Sequence, residues 1–238
     1  MCTVTFIPTG GDNFILTSNR DEAIERKTLP PDFYKINKTK MLFPKDAVAG
    51  GTWIGVSDKN TMICLLNGGF EKHLRLTNYV KSRGVVVKDL LEAVDVKKTI
   101  ESYELSGVEP FTIIAVNWSS DLLALELVWD GSKKYIRNLG HKTYIWSSST
   151  LYTKEVKEKR IDWFREFEEK NELTKENMLS FHKSRGNVKD GVNLWIDRGQ
   201  LKTRSITQVF KNDEVVSMRY EDLLENEVNS VIFESVIV

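Results

Sequence analysis

The sequence predicts a layered α+β domain in which helices cover antiparallel sheets. Strand-like segments occupy both ends of the chain, and the two strongest helical patterns lie together between them. A chain of 238 residues can form one large domain with a substantial core or two small ones, and no Pro/Ser-rich linker divides this one. We therefore expect a single domain over residues 1–238.

The first segment of the chain has the pattern of a β-hairpin. Val4 and Phe6 alternate with polar residues, Gly10 and Gly11 supply a turn, and an apolar run resumes at residues 14–17. The pattern predicts two short antiparallel strands joined by a glycine-rich turn.

The register of this hairpin would place a cysteine beside a cluster of charges. If the turn centres on the glycine pair, antiparallel pairing sets Cys2 opposite Asn19. Three charged residues then lie just past the strand end: Arg20, Asp21 and Glu22. The cluster could form a site around the thiol, or it could be an ordinary solvated turn.

Cys2 offers a specific chemistry if the initiator methionine is removed. Cysteine is small enough for Met1 to be trimmed from in front of it, which leaves a free α-amine beside the thiol. The unperturbed pKa values are about 7.7–8.0 for the amine and about 8.5 for the thiol, so proton transfer between them is nearly balanced. The amine can therefore serve as the base that activates the thiol as a nucleophile.

Composition and charge narrow the range of partners. Lys plus Arg and Asp plus Glu each number 34, so no charge bias favours nucleic acid or an anionic membrane as the main partner. No stretch approaches the roughly 18 apolar residues of a membrane span, and the N-terminus lacks the pattern of a secretory signal. We expect a cytoplasmic protein with a small ligand. The oligomeric state has no signature in the sequence.

Cysteine and histidine usage argues against a metal site. Cys2 and Cys64 are expected to be free thiols, with Cys64 buried and inert in an apolar run. The three histidines, His73, His141 and His182, show no helical pair spacing, and the chain has no Cys-x-x-Cys motif. We predict surface or packing roles for these histidines, no metal and no cofactor.

Two contrasting segments follow the first hairpin. Residues 23–40 mix charges with Pro30 and Pro31 and predict an irregular connection. Residues 49–57 and 61–69 read as two apolar strands around a polar turn, which predicts a second hairpin.

The end of the second hairpin is a candidate oxyanion hole. Asn67 ends the apolar strand, and Gly68 and Gly69 let backbone N–H groups approach a ligand closely. A side-chain amide with adjacent N–H groups is what an oxyanion hole needs. The same three residues could equally form a simple turn.

The rest of the chain alternates helical and strand patterns. A helix is predicted from Ser82, and a second one over residues 96–103. An antiparallel meander is predicted from four short strands, at residues 111–117, 122–129, 134–137 and 142–146. Two helices that would cover a sheet face follow at residues 153–171 and 174–184, the second with Thr174 as N-cap. Strands return at residues 192–197, 202–210, 214–220 and 231–238.

Six short motifs are spread in order over almost the whole chain. They are Met1-Cys2-Thr3, Asn19-Arg20-Asp21-Glu22, Gly50-Gly51-Thr52-Trp53-Ile54-Gly55, Leu66-Asn67, Ser82-Arg83-Gly84 and Thr203-Arg204-Ser205. This set resembles the NRDE family, also called the transport and Golgi organisation protein 2 family. That family in turn resembles the N-terminal nucleophile hydrolases, especially the branch with penicillin V acylase and bile salt hydrolases.

The resemblance implies a four-layer αββα sandwich of antiparallel sheets flanked by helices, and a set of site residues. It assigns Cys2 as nucleophile, Asn67 as oxyanion donor, Arg20 and Asp21 as the supporting pair, and Arg204 as a later strand arginine. In the hydrolases the supporting arginine and aspartate are apart in the sequence, whereas Arg20 and Asp21 are adjacent in this chain. We also expect substrate contacts from three residues within or beside the motifs, Asn19, Trp53 and Gly68.

The implied activity is hydrolysis of an amide bond in a small acylated substrate, by acyl transfer through a thioester. Members of the resembled family often have Ser-Asn after the last meander strand. This chain has Ser147-Ser148-Ser149-Thr150 there, and so lacks that second amide. Animal members are linked to haem handling and lipid homeostasis, so the alternative is a non-catalytic protein that binds or traffics haem or another amphipathic ligand. A plain interaction domain is the third possibility.

Overall fold

A computed structural model describes residues 3–186 and 192–233, which form fourteen strands and four helices. The strands are β1 (Thr3–Gly10), β2 (Asn13–Ala23), β3 (Thr28–Ile36), β4 (Thr39–Asp46), β5 (Ile54–Ser57), β6 (Thr61–Asn67), β7 (Phe111–Asn117), β8 (Leu123–Trp129), β9 (Lys134–Asn138), β10 (Tyr144–Ser147), β11 (Asp197–Arg198), β12 (Leu201–Asn212), β13 (Val215–Asp222) and β14 (Glu227–Phe233). The helices are α1 (Arg83–Leu91), α2 (Val96–Ser102), α3 (Lys154–Lys170) and α4 (Lys175–Lys183).

The strands form two antiparallel sheets. The first sheet has the order β10-β1-β2-β12-β13-β14, with β11 paired to β12, and so joins the beginning of the chain to its end. The second sheet has the order β3-β4-β5-β6-β7-β8-β9, in which every strand pairs with its neighbour in sequence.

The layers follow from the alternation of side chains along each strand. In the first sheet, Phe6 and Leu16 point into the main core against the second sheet, whereas Ile7 and Ile15 point the other way. These outward residues pack against Phe164 of α3 and its neighbours in α4, while α1 packs on the outer face of the second sheet. The predicted four-layer αββα sandwich is therefore confirmed.

The first hairpin is present, but its register differs from the prediction by one residue. The turn centres on Gly11 and Asp12 rather than on the glycine pair, and a bulge between Pro8 and Gly10 offsets part of that shift, so Asn19 pairs with Thr3. The predicted partner of Asn19, Cys2, lies outside the described residues. Because side chains alternate along a strand, a shift of one residue changes which of them share a face.

The connection predicted over residues 23–40 is wrong, because β3 occupies most of it. Pro30 and Pro31 lie where the pairing of β3 with β4 shifts between Leu29 and Asp32. A proline cannot donate to a ladder, but β3 is an edge strand and tolerates this loss.

The predicted four-strand meander is right for β7, β8 and β9 only. The fourth strand, β10, leaves the second sheet and pairs with β1 of the first. All four helices and the second hairpin lie where the sequence predicts them, with Thr153 and Thr174 as side-chain N-caps of α3 and α4.

The C-terminal strands are partly as predicted. Of residues 192–197, only Asp197 belongs to a strand, and the predicted last strand is found at Glu227–Phe233. Residues 234–238 of that prediction lie outside the described part of the chain. No helix formed by residues 3–186 and 192–233 combines the length and apolar character needed to cross a bilayer.

Candidate functional site

A cleft of about 620 Å³ opens at the strand ends where the two sheets meet. Arg20 reaches it from β2 of the first sheet, and Trp53 and Asn67 reach it from the second sheet. The cleft therefore brings together three of the predicted site residues. Its outer wall is the loop between β6 and α1, together with the first turn of α1.

Arg20 is buried at the base of this cleft and already has partners. Its Nη2 lies 2.8 Å from Asp46 Oδ2 and 3.5 Å from Glu22 Oε2, and its guanidinium lies 4.6 Å from the centroid of the Trp53 ring. Burial lowers the pKa of Arg20, and the charges of Glu22 and Asp46 oppose that change. The side chain stays charged within an ion-paired cluster.

Asp46, which the sequence did not single out, holds this cluster together. It accepts hydrogen bonds from Arg26 Nε at 2.7 Å and from the backbone N–H groups of Val48 and Ala49. Burial alone would raise the pKa of Asp46, but the Ala49 N–H and the charges of Arg26 and Arg20 outweigh it and leave the pKa lowered. The carboxylate is therefore ionised at neutral pH and neutralises much of the Arg20 charge.

Asp21 lies on the opposite face of the sheet from Arg20, because successive side chains of β2 alternate. Its Oδ1 accepts a hydrogen bond of 2.5 Å from the Thr203 hydroxyl, and its Oδ2 accepts one of 2.9 Å from Tyr152. The predicted supporting pair is thus divided. Arg20 faces the cleft, whereas Asp21 faces the helical layer beneath α3.

A buried arginine holds the first described residue of the chain. Thr3 pairs with both Asn19 and Ser147, and Arg160 Nη1 donates hydrogen bonds to the hydroxyls of Thr3 at 2.9 Å and Ser147 at 3.0 Å. Arg160 is fully buried, and its guanidinium lies 3.7 Å from the centroid of the Tyr152 ring. It is the main residue that sequence reasoning missed here.

The sequence did contain a signal for Arg160. It falls four residues after Val156 and four before Phe164, within the stripe by which α3 packs on the sheet. A charged side chain in such a stripe becomes buried, and burying a charge is costly unless other groups pair or hydrogen-bond with it. Its position therefore indicated a polar contact beneath the helix.

Asn67 lines the cleft from the end of β6. Within the described residues no hydrogen bond engages its side-chain amide, while its backbone oxygen accepts one of 2.6 Å from the Ser148 hydroxyl. The serine segment Ser147-Ser148-Ser149-Thr150, which stands where members of the resembled family often have Ser-Asn, thus packs on the Asn67 backbone.

The next residue requires glycine. Gly68 has a φ of +86°, and a Cβ built there would lie 2.2 Å from Ser149 Oγ. Gly68 and Ser149 line a second, smaller pocket of about 200 Å³ rather than the cleft. Gly68 therefore belongs to the wall between the two cavities.

Arg204 does not line the cleft. It lies at a bulge in β12, where the pairing with β2 shifts between Thr203 and Ser205. Its guanidinium donates to the Ile24 carbonyl at 2.9 Å and to Asp222 Oδ2 at 3.3 Å. The structure thus gives Arg204 contacts that fasten β12 to neighbouring segments.

Asn19 is also away from the cleft. Its amide nitrogen donates to the backbone oxygens of His182 at 3.0 Å and Leu194 at 2.8 Å. Its Oδ1 lies 2.7 Å from His182 Nδ1, and because Oδ1 can only accept, Nδ1 carries the proton. His182 Nε2 then accepts from the Thr5 hydroxyl at 2.8 Å.

His182 is a neutral packing residue, as expected for a lone histidine. Burial, assisted by the charge of Arg160, lowers the pKa of His182 to about 3. Cys64 is likewise unreactive, since burial raises the pKa of its thiol to about 12. Neither group is ionised near neutral pH.

A second charged cluster lies across the cleft from Arg20. Glu109 lies 3.1 Å from Arg83 Nη2 and 3.3 Å from His73 Nε2, with Arg75 Nε at 3.9 Å. In all, four arginines and two lysines line the cleft against three carboxylates. The described residues include no group of three or more His, Cys, Asp or Glu placed to hold a metal.

The architecture matches solved amide hydrolases of low sequence identity. The conjugated bile acid hydrolase of Clostridium perfringens superposes with a TM-score of 0.59 at 11% identity, over 97% of this chain and 92% of that one. Penicillin V acylase from Agrobacterium tumefaciens gives 0.56 at 9% identity, over 97% and 86%. The Caenorhabditis elegans ortholog of N-acylethanolamine-hydrolyzing acid amidase gives 0.60 at 13% identity, over 87% and 92%.

These similarities define the class of fold, which is that of the N-terminal nucleophile hydrolases. Comparison of the sequence with curated proteins gives no match. The family model described as Transport and Golgi organisation 2 matches residues 1–228. The chain belongs to this family.

Proposed function

We propose that the protein is an N-terminal-cysteine amidohydrolase that cleaves the amide bond of a small acylated substrate. One structural relationship carries the proposal. Thr3, the residue after Cys2, pairs with strands that continue to Arg20 on one side and to Ser148 on the other, and Ser148 in turn contacts Asn67. The start of β1 and the candidate oxyanion donor therefore belong to one edge of the sandwich.

The described part of β1 turns one face toward the space between the sheets. Val4 and Phe6 point into the space between the sheets, which is also the face from which Arg20 reaches the cleft. The proposed reaction requires the thiol of Cys2 to act at this face of the sheet. The three amide hydrolases with the same fold make C–N cleavage the natural reaction to test.

In the proposed reaction, the α-amine of Cys2 takes the thiol proton and the thiolate attacks the amide carbonyl, forming a C–S bond. The carboxamide of Asn67 and a backbone N–H stabilise the oxyanion. Collapse of this intermediate breaks the C–N bond, and the leaving amine takes the proton. Water then attacks the thioester, which releases the acid and restores the thiol.

The supporting residues have distinct parts in this scheme. Arg20 stabilises the thiolate by charge, an effect that its ion pair with Asp46 reduces. Asp21, held by Thr203 and Tyr152, provides a fixed carboxylate on the helical side of β2. Arg204 acts indirectly, by fixing the bulge beside Thr203.

The experiment begins with the intact mass of the purified protein, because the reaction requires loss of Met1. A panel of fluorogenic N-acyl amides is then assayed with wild type, Cys2→Ala and Asn67→Ala, with Cys64→Ala as the matched thiol control. We expect no turnover by Cys2→Ala, a loss on the order of 10²–10³ in rate for Asn67→Ala, and near-normal rates for Cys64→Ala. Retention of Met1, or undiminished turnover by Cys2→Ala, would refute the proposal.

The cleft itself favours a second candidate, a protein that binds an amphipathic ligand such as haem or a lipid without reaction. The cleft volume of about 620 Å³ suits a ligand of that size, and its excess of basic side chains suits an acidic group. Titration with haem would then shift the Soret band equally in wild type and Cys2→Ala. A shift in both, with no turnover of any amide, favours binding over hydrolysis.

A further inference from the structure

The loop between β6 and α1 has two faces of opposite character. Five odd-numbered side chains line the cleft, namely His73, Arg75, Thr77, Tyr79 and Lys81. Three apolar side chains of even number alternate with them and are exposed to solvent, Leu74 by 92%, Leu76 by 64% and Val80 by 87%. The loop is thus a wall that is polar inside and apolar outside.

The loop is anchored, so the exposure of these side chains is built into the fold. The Leu76 N–H donates to the Tyr79 hydroxyl at 2.9 Å, and the Val80 N–H donates to the Gly107 carbonyl at 2.9 Å. Single exposed apolar residues are ordinary, but three such residues within seven positions of a fastened loop indicate a surface that meets a partner.

The charge around these side chains indicates the kind of partner. Residues 70–83 contain four basic residues and one acidic residue, whereas the whole chain is balanced at 34 of each sign. Phe70, which is 56% exposed, extends the apolar surface, and its ring contacts the Tyr135 ring edge to face with 4.9 Å between the ring centroids. Arg83 and Lys81 are paired with Glu109 and Asp89, so the exposed positive charge beside the apolar tips comes from Lys72 and from Arg75, which is 78% exposed.

We propose that this loop docks the protein on an anionic lipid surface. The aliphatic tips enter the boundary between headgroups and acyl chains, while Lys72 and Arg75, which are exposed at the rim of the cleft, contact the acidic headgroups. The side chains of Leu74, Leu76 and Val80 are aliphatic and largely exposed to solvent, so they can enter a lipid surface without a matching pocket. The cores of protein–protein interfaces, in contrast, are enriched in packed aromatic side chains. A second copy of the chain fits poorly, since a symmetric contact would bring the same cations face to face.

Docking in this way places the mouth of the cleft against the bilayer, because the loop forms the cleft wall. An amphipathic ligand could then pass between membrane and cleft without crossing water. The docking surface does not depend on whether Cys2 reacts.

The test is flotation of the full-length protein with vesicles of phosphatidylcholine alone and of phosphatidylcholine mixed with phosphatidylserine. We expect binding only to the mixed vesicles, weakened by added salt as exposed charges are screened. The double variant Leu74→Glu/Val80→Glu should lose at least about tenfold in vesicle partitioning, since it removes apolar tips and reverses local charge. Val94→Glu, which alters another exposed valine beyond α1, should bind as wild type does.

Thermal unfolding of each variant establishes that the fold is retained. Equal binding to both kinds of vesicle, or undiminished binding by the double variant, would overturn the proposal. So would a wild-type dimer in sedimentation that the double variant dissociates, because the surface would then be a contact between copies of the chain. Capture of an acidic protein with no vesicle binding would equally reject the lipid surface.

Discussion

Arg160 Nη1 donates a hydrogen bond of 2.9 Å to the hydroxyl of Thr3, and so joins α3 to the start of β1. The same guanidinium donates to the backbone oxygens of Val192, at 3.1 Å, and Asn193. None of the ion pairs within the described residues involves this buried cation. Its positive charge is stabilised by hydrogen bonds to hydroxyl and carbonyl oxygens and by the face of the Tyr152 ring. Arg160 is therefore the residue that fixes where the chain enters β1.

We predict that Arg160→Met lowers the free energy of unfolding by about 2–4 kcal/mol. The substitution leaves two buried carbonyls without donors, and an unsatisfied buried group costs about 1–3 kcal/mol. Urea unfolding followed by fluorescence measures the change. Arg165→Met is the matched control, because that arginine lies on the same helix but is 68% exposed, and it should stay within about 0.5 kcal/mol of wild type. Equal stabilities for the two variants would contradict the assigned role.

The burial of His182 leads us to predict that the free energy of unfolding falls as the pH is lowered. Its folded pKa of about 3 lies below the ordinary value of 6.5, so the unfolded chain binds the proton more readily between these values. Stability from this group is complete above its unfolded pKa and is lost as pH falls toward 3. Within that window the slope approaches about 1.4 kcal/mol per pH unit.

The comparison that isolates this slope uses His182→Gln and His141→Gln. His141 is exposed, so its replacement should leave the pH dependence of unfolding as in wild type. His182→Gln should flatten the curve between about pH 6 and pH 4.5, whatever its effect on absolute stability. A wild-type slope in His182→Gln would show that His182 does not control acid unfolding.

The helices and most strands of this fold were predictable because helical and strand periods are local, whereas the four-layer order was implied by the family resemblance. The predicted helices and strands lie close to their observed positions along most of the chain. The site was harder, because strand register depends on bulges that no local pattern marks. In the first hairpin, the turn at residues 11–12 and the bulge at Pro8–Gly10 together set Asn19 opposite Thr3. Arg204 lies at the bulge between Thr203 and Ser205 and does not line the cleft.

Two further features of the site depend on contacts between distant segments. Alternation along β2 places the adjacent Arg20 and Asp21 on opposite faces, so their different partners, Asp46 and Tyr152, come from separate parts of the chain. A linear motif records that two residues are neighbours, but it does not record which layer each one enters.

The two cysteines should differ sharply in reactivity. Cys64 is fully buried and burial raises the pKa of its thiol to about 12, so its thiolate fraction near neutral pH is negligible. We predict that iodoacetamide labels Cys2 alone in the folded protein and labels both cysteines in denaturant, as peptide mass spectrometry would show. Labelling of Cys64 in the folded protein would contradict its burial, and an unlabelled Cys2 would count against an activated thiol.

The wall between the two cavities yields the last prediction, in which Gly68 and Gly140 serve as a matched pair. Both have a positive φ, of +86° and +60°, so alanine at either position carries a backbone penalty of about 1–2 kcal/mol. An added Cβ meets nothing within 4 Å at Gly140, whereas at Gly68 it would lie 2.2 Å from Ser149 Oγ. Gly68→Ala should therefore lose about 1–3 kcal/mol more than Gly140→Ala in urea unfolding.

A double-mutant cycle separates the clash from the backbone penalty. Ser149→Gly removes the Oγ that the new Cβ would strike, so the pair Gly68→Ala/Ser149→Gly should recover most of the excess cost. The backbone penalty itself should remain, at the level that Gly140→Ala sets. If the two substitutions are instead additive, the serine segment does not press on Gly68, and the wall that positions Asn67 is not built as described.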